Sequence, residues 1–196
     1  MSARPGVETW PVKDRTSWLA LRKSDVTASA IGSLLGVHEY MTPYALWALK
    51  SGIISEDPEE TPAMMRGRLL EPVAIELLRE MHPSWTITTP STYYRDPATR
   101  IGATPDALVK DPLRKGFGVL QIKTVEPSIF RRKWQTDDRT VEPPLWIATQ
   151  ALVEAHLTGA LWASFASSPN REDRAGICRF LAQHRIRCSS RPRSSP

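Results

Sequence analysis

The stretch "GATPDALVKDPLRKGFGVLQIKT", residues 102–124, contains two apolar runs separated by a polar, glycine-containing turn. This pattern predicts a β-hairpin. The first run carries Asp106, and the second carries Gln121 and Lys123. Alternate side chains of a strand share a face, so Gln121 and Lys123 point the same way while Ile122 points into the core. If Asp106 lies opposite them, an acid, an amide and an ammonium group meet at one place.

The groups on this hairpin suit hydrolytic chemistry with a cation. Carboxylate and amide oxygens are ligands for a hard cation such as Mg²⁺. An ammonium group beside such an ion can orient an attacking water, or offset charge that builds on a phosphate. The spacing by itself favours a simpler interpretation, a surface hairpin whose polar face meets water.

A second signal lies in the helical pattern "MMRGRLLEPVAIELL". Glu71 is the acid within this apolar run. It could supply a further ligand from the helix side, or it could lie on the solvated face. Arg66 and Arg68 in the same run could contact phosphates or be ordinary surface residues.

Helical patterns precede the hairpin. One covers residues 16–21, and a second follows Ser24 or Asp25 through "VTASAIGSLLG". A third, "TPYALWALKSG", has Thr42 at the N-cap position and Gly52 as its stop.

The longest helical pattern covers Pro62–Met81. Pro72 inside it predicts a kink or a break. Apolar residues at steps of four predict one apolar face, made of Met65, Leu69, Val73, Leu77 and Met81.

From residue 84 onward the pattern changes to short β-branched and aromatic runs, which predict consecutive strands. These runs are "SWTITTP", "TYYRD", "IGATPDALVKD" and "GFGVLQIKT". Helical patterns return in "PSIFRRKWQ" and "PPLWIATQALVEAHLTG", and "ALWASFAS" predicts one more strand. The order of elements is therefore helices, three or four strands, a helix pair and a strand.

Composition indicates one soluble domain with a basic tail. The chain has 196 residues, 41% hydrophobic and 24% charged, with no apolar run long enough to span a membrane and no signal-peptide core at its start. We therefore expect a cytoplasmic protein that does not engage membranes. The net charge of +5 comes from residues 169–196, which hold seven Arg against two acids. Both cysteines, Cys178 and Cys188, also lie there, so neither a disulfide framework nor a zinc site is predicted in the body.

These features place a domain boundary near residue 168. Residues 1–168 are predicted to form the domain. Residues 169–196 show no helical or strand periodicity and predict a disordered tail. This tail is either a native basic extension or the product of a truncated or shifted reading frame.

Four blocks in order carry a family resemblance. They are "SWLALRKSDVTASAIGSLLGVHEYMTPYALWALKSG", "RGRLLEPVA", "IGATPDALV" with "VLQIKT", and "PPLWIATQALVEAHLTG". Together, over residues 18–162, they resemble the lambda-exonuclease-like, YqaJ-type viral recombinase nucleases of the PD-(D/E)xK superfamily. The third block resembles the family's Asp…Glu-x-Lys core.

The resemblance implies an α/β fold of the restriction-endonuclease type, with a central mixed sheet flanked by helices. It implies hydrolysis of DNA phosphodiester bonds with Mg²⁺, for which Mn²⁺ could substitute. In exonuclease members one strand of double-stranded DNA is degraded from its 5′ end during phage-type recombination. A single-strand annealing protein as partner and a homo-oligomeric ring are expected by the same analogy.

Roles follow from the resemblance by position. Asp106 would be the central metal ligand, the Ile122 carbonyl would complete the metal shell, and Glu71 would be the helix-borne acid. Lys123 would position the water and stabilise the transition state. The family pattern has Glu where this chain has Gln121, which would act as a neutral ligand.

Three further residues match positions near the DNA. Arg22 matches an Arg that meets phosphate, Ser29 lies in the adjacent Thr-Ala-Ser segment, and Gln150 matches a late-helix Gln that braces the site. With Arg66 and Arg68 they form the predicted phosphate-binding set. A surface Arg, a packing hydroxyl and a helix-face amide are the simpler interpretations of the first three.

The amide at position 121 leaves several outcomes open. The site is active with Gln121, or Glu126 or Glu71 compensates for it, or the chain is a weakened or inactive copy. The competing functions are an endonuclease and a DNA-end-binding module that uses its basic residues without cutting, including Arg131–Lys133. Among the tryptophans, Trp134 is the candidate for DNA contact, whereas Trp18, Trp47 and Trp146 are predicted to be core.

Overall fold

The computed structural model describes residues 3–55, 60–137 and 141–168. The predicted tail, 169–196, lies outside the described residues. In chain order the elements are β1 (Glu8–Pro11), α1 (Arg15–Lys23), β2 (Val26–Thr27), α2 (Ile31–Leu34), α3 (Pro43–Lys50), α4 (Pro62–Met81), β3 (Thr86–Thr88), β4 (Thr92–Asp96), β5 (Ile101–Ala103), β6 (Ala107–Lys110), β7 (Gly118–Thr124), α5 (Pro127–Lys133), α6 (Leu145–Thr158) and β8 (Trp162–Ser168).

The strands form two four-stranded sheets. One has the order β1-β4-β5-β2, and the other has the order β3-β6-β7-β8. In the second sheet β7 is antiparallel to β6 and parallel to β8, so the sheet is mixed. The single run "IGATPDALVKD" is divided between β5 in one sheet and β6 in the other, because the Thr104-Pro105 segment interrupts pairing.

Helices cover both faces of the second sheet. On one face Leu120 and Ile122 of β7 join Ile75 and Leu78 of α4 in a buried cluster. On the other face Phe165 of β8 packs in a cluster with residues of α5 and α6. Since β7 is covered on both faces, its side chains are buried from Gly118 to Ile122. Gln121 and Lys123, which both contact Gln150, therefore face helix α6, and Gln121 is fully buried.

Local signals at the helix ends worked as predicted. The Thr42 hydroxyl accepts a hydrogen bond from Ala45 N at 3.1 Å and caps α3. Helix α6 ends at Gly159, whose φ of 75° lies in the left-handed region where a glycine is favoured. The break allowed for at Pro72 is absent, since helix α4 runs unbroken through this residue.

Two predictions about helices are wrong. The buried residues of α4 are Ala74, Ile75 and Leu78, whereas Leu69 and Val73 are more than half exposed. Steps of four drift around a helix of 3.6 residues per turn, so a long step-four stripe cannot stay against one sheet. The helix predicted after Ser24 or Asp25 is instead strand β2 followed by the short helix α2.

Two tryptophan predictions are also wrong. Trp134, the candidate for DNA contact, is 3% exposed and belongs to the cluster between α5 and α6, so its ring is not available to a base. Trp47, predicted to be core, is 54% exposed. None of the helices in the described ranges combines the length and apolar character that a bilayer crossing requires.

Candidate active site

The hairpin of β6 and β7 brings Asp106 against β7. Ala107 pairs with Leu120, so Asp106 lies one residue before the strand and opposite the segment that carries Gln121. Its Oδ2 accepts a hydrogen bond from Ile122 N at 2.8 Å, and the Gln121 Nε2 donates to the same oxygen. Both bonds use Oδ2, so Oδ1 is the Asp106 oxygen directed away from them.

Lys123 and Gln121 reach the same buried amide on α6. Lys123 Nζ donates to Gln150 Oε1 at 3.3 Å, and Gln150 Nε2 donates to Gln121 Oε1 at 3.0 Å. The predicted convergence of Asp106, Gln121 and Lys123 is therefore present. The Gln121 carbonyl oxygen is directed at Gln150, so this amide would have to turn over to serve as the cation ligand predicted from the sequence.

Glu71 of α4 approaches the same place and is half-buried. The pKa of Glu71 is raised to about 7, chiefly by burial and then by the charge of Asp106, against the opposing effect of the charge of Lys123. Burial likewise raises the pKa of Asp106, against the lowering effects of Lys123, Ile122 N–H and Gln121. The charge of Asp106 disfavours ionisation of Glu71, and a cation placed between such carboxyl groups would be stabilised.

Sequence reasoning missed Glu154. It lies one turn after Gln150 on α6, is 1% exposed, and its Oε1 accepts from Gln150 Nε2 at 2.9 Å. Burial raises the pKa of Glu154 to about 8, and the charge of Asp106 contributes in the same direction. The available signal was an acid four residues after Gln150 in an otherwise apolar helix, since that spacing puts both side chains on one face.

The donors present fit a hard divalent cation with an incomplete protein shell. Asp106 and Glu71 could supply carboxylate oxygens to such an ion, and the backbone at Ile122 could supply a carbonyl. In the described part of the chain no three His, Cys, Asp or Glu residues are grouped to hold a metal ion. On β7 the third acidic group is lacking because residue 121 is a glutamine. Mg²⁺ tolerates such a set because it usually keeps several water ligands.

Arg22 and Ser29 lie together beside the first sheet. Arg22 Nη2 donates to Ser29 Oγ at 3.4 Å, and its guanidinium lies 4.2 Å from the centre of the Trp18 ring. Trp18 Nε1 donates to Thr104 Oγ1 at 3.1 Å, which ties α1 to the segment that leads to Asp106. The predicted phosphate contacts are thus connected to the hairpin.

The remaining predicted residues occupy different environments. Arg68 is exposed and bonded to Glu60 at 2.8 Å and 2.9 Å, and Arg66 lies 3.4 Å from Glu126. Glu126 is therefore engaged at the surface, and no contact joins it to Asp106 in the described part of the chain. Gln150 is 6% exposed with both ends of its amide bonded to protein groups, which suits bracing of the site and not phosphate contact.

A mixed sheet with a central acid-and-lysine hairpin, covered by helices on both faces, defines a restriction-endonuclease-like fold. Residues 17–160 match the family model described as the YqaJ-like viral recombinase domain. The chain belongs to this family.

Solved structures agree with the fold. The chain is similar to an alkaline exonuclease, LHK-Exo, from Laribacter hongkongensis, with 22% identity, a TM-score of 0.61, and coverage of 81% of this chain and 76% of that chain. The complex of LHK-Exo with dAMP matches with 23% identity, a TM-score of 0.63 and the same coverage. No curated protein matches the chain.

Proposed function

We propose that this protein is a metal-dependent deoxyribonuclease that hydrolyses phosphodiester bonds of double-stranded DNA, as a 5′-3′ exonuclease in phage-type recombination. The observation that carries the proposal is the convergence of Asp106, Gln121 and Lys123 beside Glu71. Membership of a viral recombinase family supports it. The likeness of the fold to a protein described as an alkaline exonuclease agrees with it.

Asp106, Glu71 and the Ile122 carbonyl would hold the cation, Mg²⁺ or Mn²⁺ in its place. When bound, such an ion supplies Lewis-acid activation of water and of the phosphate. Asp106 is held in place for this task because Ile122 N–H and Gln121 Nε2 both bond its Oδ2. The carboxylate thereby keeps one orientation without a side-chain rotation during the reaction.

Lys123 supplies the positive charge next to this carboxylate. Its ammonium group is held by Gln150 Oε1 and is close enough to Asp106 and Glu71 to act on the ionisation of both. It orients the attacking water and offsets charge on the scissile phosphate, where a preorganised cation is worth more than in water. Arg22 and Ser29 contact a neighbouring phosphate and fix the register of the strand.

Digestion of linear and circular duplex DNA, with and without Mg²⁺, tests the proposal. Loss of linear DNA alone identifies an exonuclease, and nicking of the circle identifies an endonuclease. Lys123→Ala is expected to reduce cleavage by about 10³-fold or more while DNA binding persists. Lys110→Ala, an exposed lysine on the same hairpin, is the matched control and should cleave normally.

The neutral amide of Gln121 favours one alternative, a DNA-end-binding module without cleavage. Such a module would retain both DNA forms with or without Mg²⁺. Its affinity for DNA would fall steeply with salt, and Lys123→Ala would change little. That set of results would overturn the nuclease proposal.

A further inference from the structure

Helix α6 places a carboxyl group behind the catalytic hairpin, and the proposed function makes no use of it. Glu154 is 1% exposed. Its Oε1 accepts from Gln150 Nε2, and its Oε2 has no hydrogen-bond partner within the described residues. A buried carboxyl oxygen without a partner destabilises a fold, and a glutamine at this position would accept the same bond from Gln150. Packing and this single hydrogen bond therefore do not by themselves explain why residue 154 is an acid.

A second observation lies on β7, across the same amide. Gln150 Nε2 donates to Gln121 Oε1 at 3.0 Å and to Glu154 Oε1 at 2.9 Å. Gln121 and Glu154 are thus the two acceptors of one amide group. A glutamate at 121 and a glutamine at 154 would each still offer an oxygen to accept the hydrogen bonds from Gln150 Nε2. As acceptors for Gln150, the two residue types are therefore exchangeable between β7 and α6, although a glutamate at 121 would give up the bond that Gln121 Nε2 donates to Asp106.

We propose that Glu154 is a positioning residue of the cation site, which supplies from α6, through Gln150, the carboxylate that β7 lacks at position 121. This inference rests on the proposed function.

Gln150 can transmit the influence of Glu154 to Lys123 because its amide has a donor, Nε2, on one side and an acceptor, Oε1, on the other. A cation bound at Asp106 would favour the ionised form of Glu154. An ionised carboxylate only accepts hydrogen bonds, so Glu154 would then hold Nε2 of Gln150 toward itself and Gln121. The opposite end, Oε1, then faces Lys123 Nζ. A glutamine at 154 could present either a donor or an acceptor, so the orientation of Gln150 would no longer be determined. Lys123 would then lose its fixed acceptor, and Gln121 would lose its fixed donor.

The test measures Mn²⁺ binding to the full chain without DNA, by electron paramagnetic resonance, alongside Mg²⁺-dependent cleavage. Glu154→Gln is expected to weaken Mn²⁺ binding by about 10- to 100-fold and to lower kcat without raising KM for DNA. Gln121→Glu in the Glu154→Gln background is expected to return Mn²⁺ affinity to within about twofold of the parent. Glu80→Gln, an exposed acid on α4, is the matched control.

Parental Mn²⁺ affinity in Glu154→Gln would overturn the inference, and so would a parent that binds no Mn²⁺. If Glu154→Gln does not fold, the double variant Gln121→Glu/Glu154→Gln alone tests the inference. Parental Mn²⁺ affinity in the folded double variant supports the exchange, and weakened affinity overturns it. A parent that binds Mn²⁺, responds to the exchange and yet cuts no DNA would overturn the proposed function and leave this inference standing.

Discussion

At position 121 the exchange of one carboxylate oxygen for an amide nitrogen changes which hydrogen bonds the side chain can form. An amide and a carboxylate have nearly the same shape, yet Gln121 donates to Asp106, which a carboxylate cannot do. The motif pattern predicted an oxygen ligand at this position, whereas the carbonyl oxygen is directed at Gln150. Glu154, which we propose to replace the carboxylate missing at position 121, lies on α6. The family motif alone did not indicate this residue.

Glu154 predicts how stability depends on pH. Its pKa rises from the ordinary value of 4.5 to about 8 in the fold, so between these values the folded state keeps a proton that the unfolded chain releases. The free energy of unfolding should therefore fall as pH rises through this window, by a few kcal/mol, with the loss complete above about pH 8. Glu71, whose pKa is also raised, acts in the same direction.

Urea denaturation in EDTA at pH 5 and pH 9 measures this effect. Glu154→Gln cannot release the proton, so its free energy of unfolding should fall less between the two pH values than that of the parent. Glu80→Gln should fall as much as the parent. An equal decline in Glu154→Gln and the parent would contradict the prediction.

Among the elements, the link between α1 and β2 depends on one buried ion cluster. Asp25 is 1% exposed and accepts hydrogen bonds from Tyr93 at 2.9 Å, Arg95 at 2.7 Å and Arg100 at 3.2 Å. These partners lie on β4 and just before β5, so the cluster holds the end of α1 against the first sheet. The segment that carries Arg22 and Ser29 is positioned by the same contacts.

Asp25→Ala should therefore lower the free energy of unfolding by about 3–5 kcal/mol, because it leaves the partly buried Arg95 guanidinium and the buried Tyr93 hydroxyl without their Asp25 acceptor. Chemical denaturation measures the change. Glu80→Gln provides the comparison and should stay within about 0.5 kcal/mol of the parent. A loss in Asp25→Ala as small as that of Glu80→Gln would show that the cluster does not hold this link.

For the molecule as a whole, charge is distributed unevenly. The chain carries +5, and residues 169–196 account for that excess, so the domain itself is neutral overall. Attraction to DNA must then depend on local cations at the site and not on the net field of the domain. Arg22, held over Trp18 next to Ser29, is the cation connected to the hairpin.

Arg22→Ala should weaken DNA binding for all sequences and reduce the slope of log affinity against log salt by about one. Arg68→Ala should have a smaller effect, because that guanidinium already forms two hydrogen bonds to Glu60. Fluorescence anisotropy at several salt concentrations distinguishes the two variants. Equal slopes for Arg22→Ala and the parent would remove Arg22 from the phosphate contacts.

The predicted family and fold class are confirmed, by the match over residues 17–160 and by the mixed sheet with helices on both faces. The order of helices and strands after residue 62 also agrees with the prediction, although five strands, β3 to β7, lie where three or four were predicted. Two short strands, β1 and β2, were not foreseen because runs of four and two residues carry little pattern. The site roles, the annealing partner and the ring stay predictions.

The sequence alone was sufficient to predict the hairpin, the caps of α3 and the end of α6, because each of these features depends on residues that are close together along the chain. Packing decided the rest. It selected Ala74, Ile75 and Leu78 as the buried side of α4, because the sheet and not the helix chooses that face. It also joined Gln150 to Gln121, which are 29 residues apart in sequence. No local pattern encodes that pairing, because it exists only where α6 lies against β7.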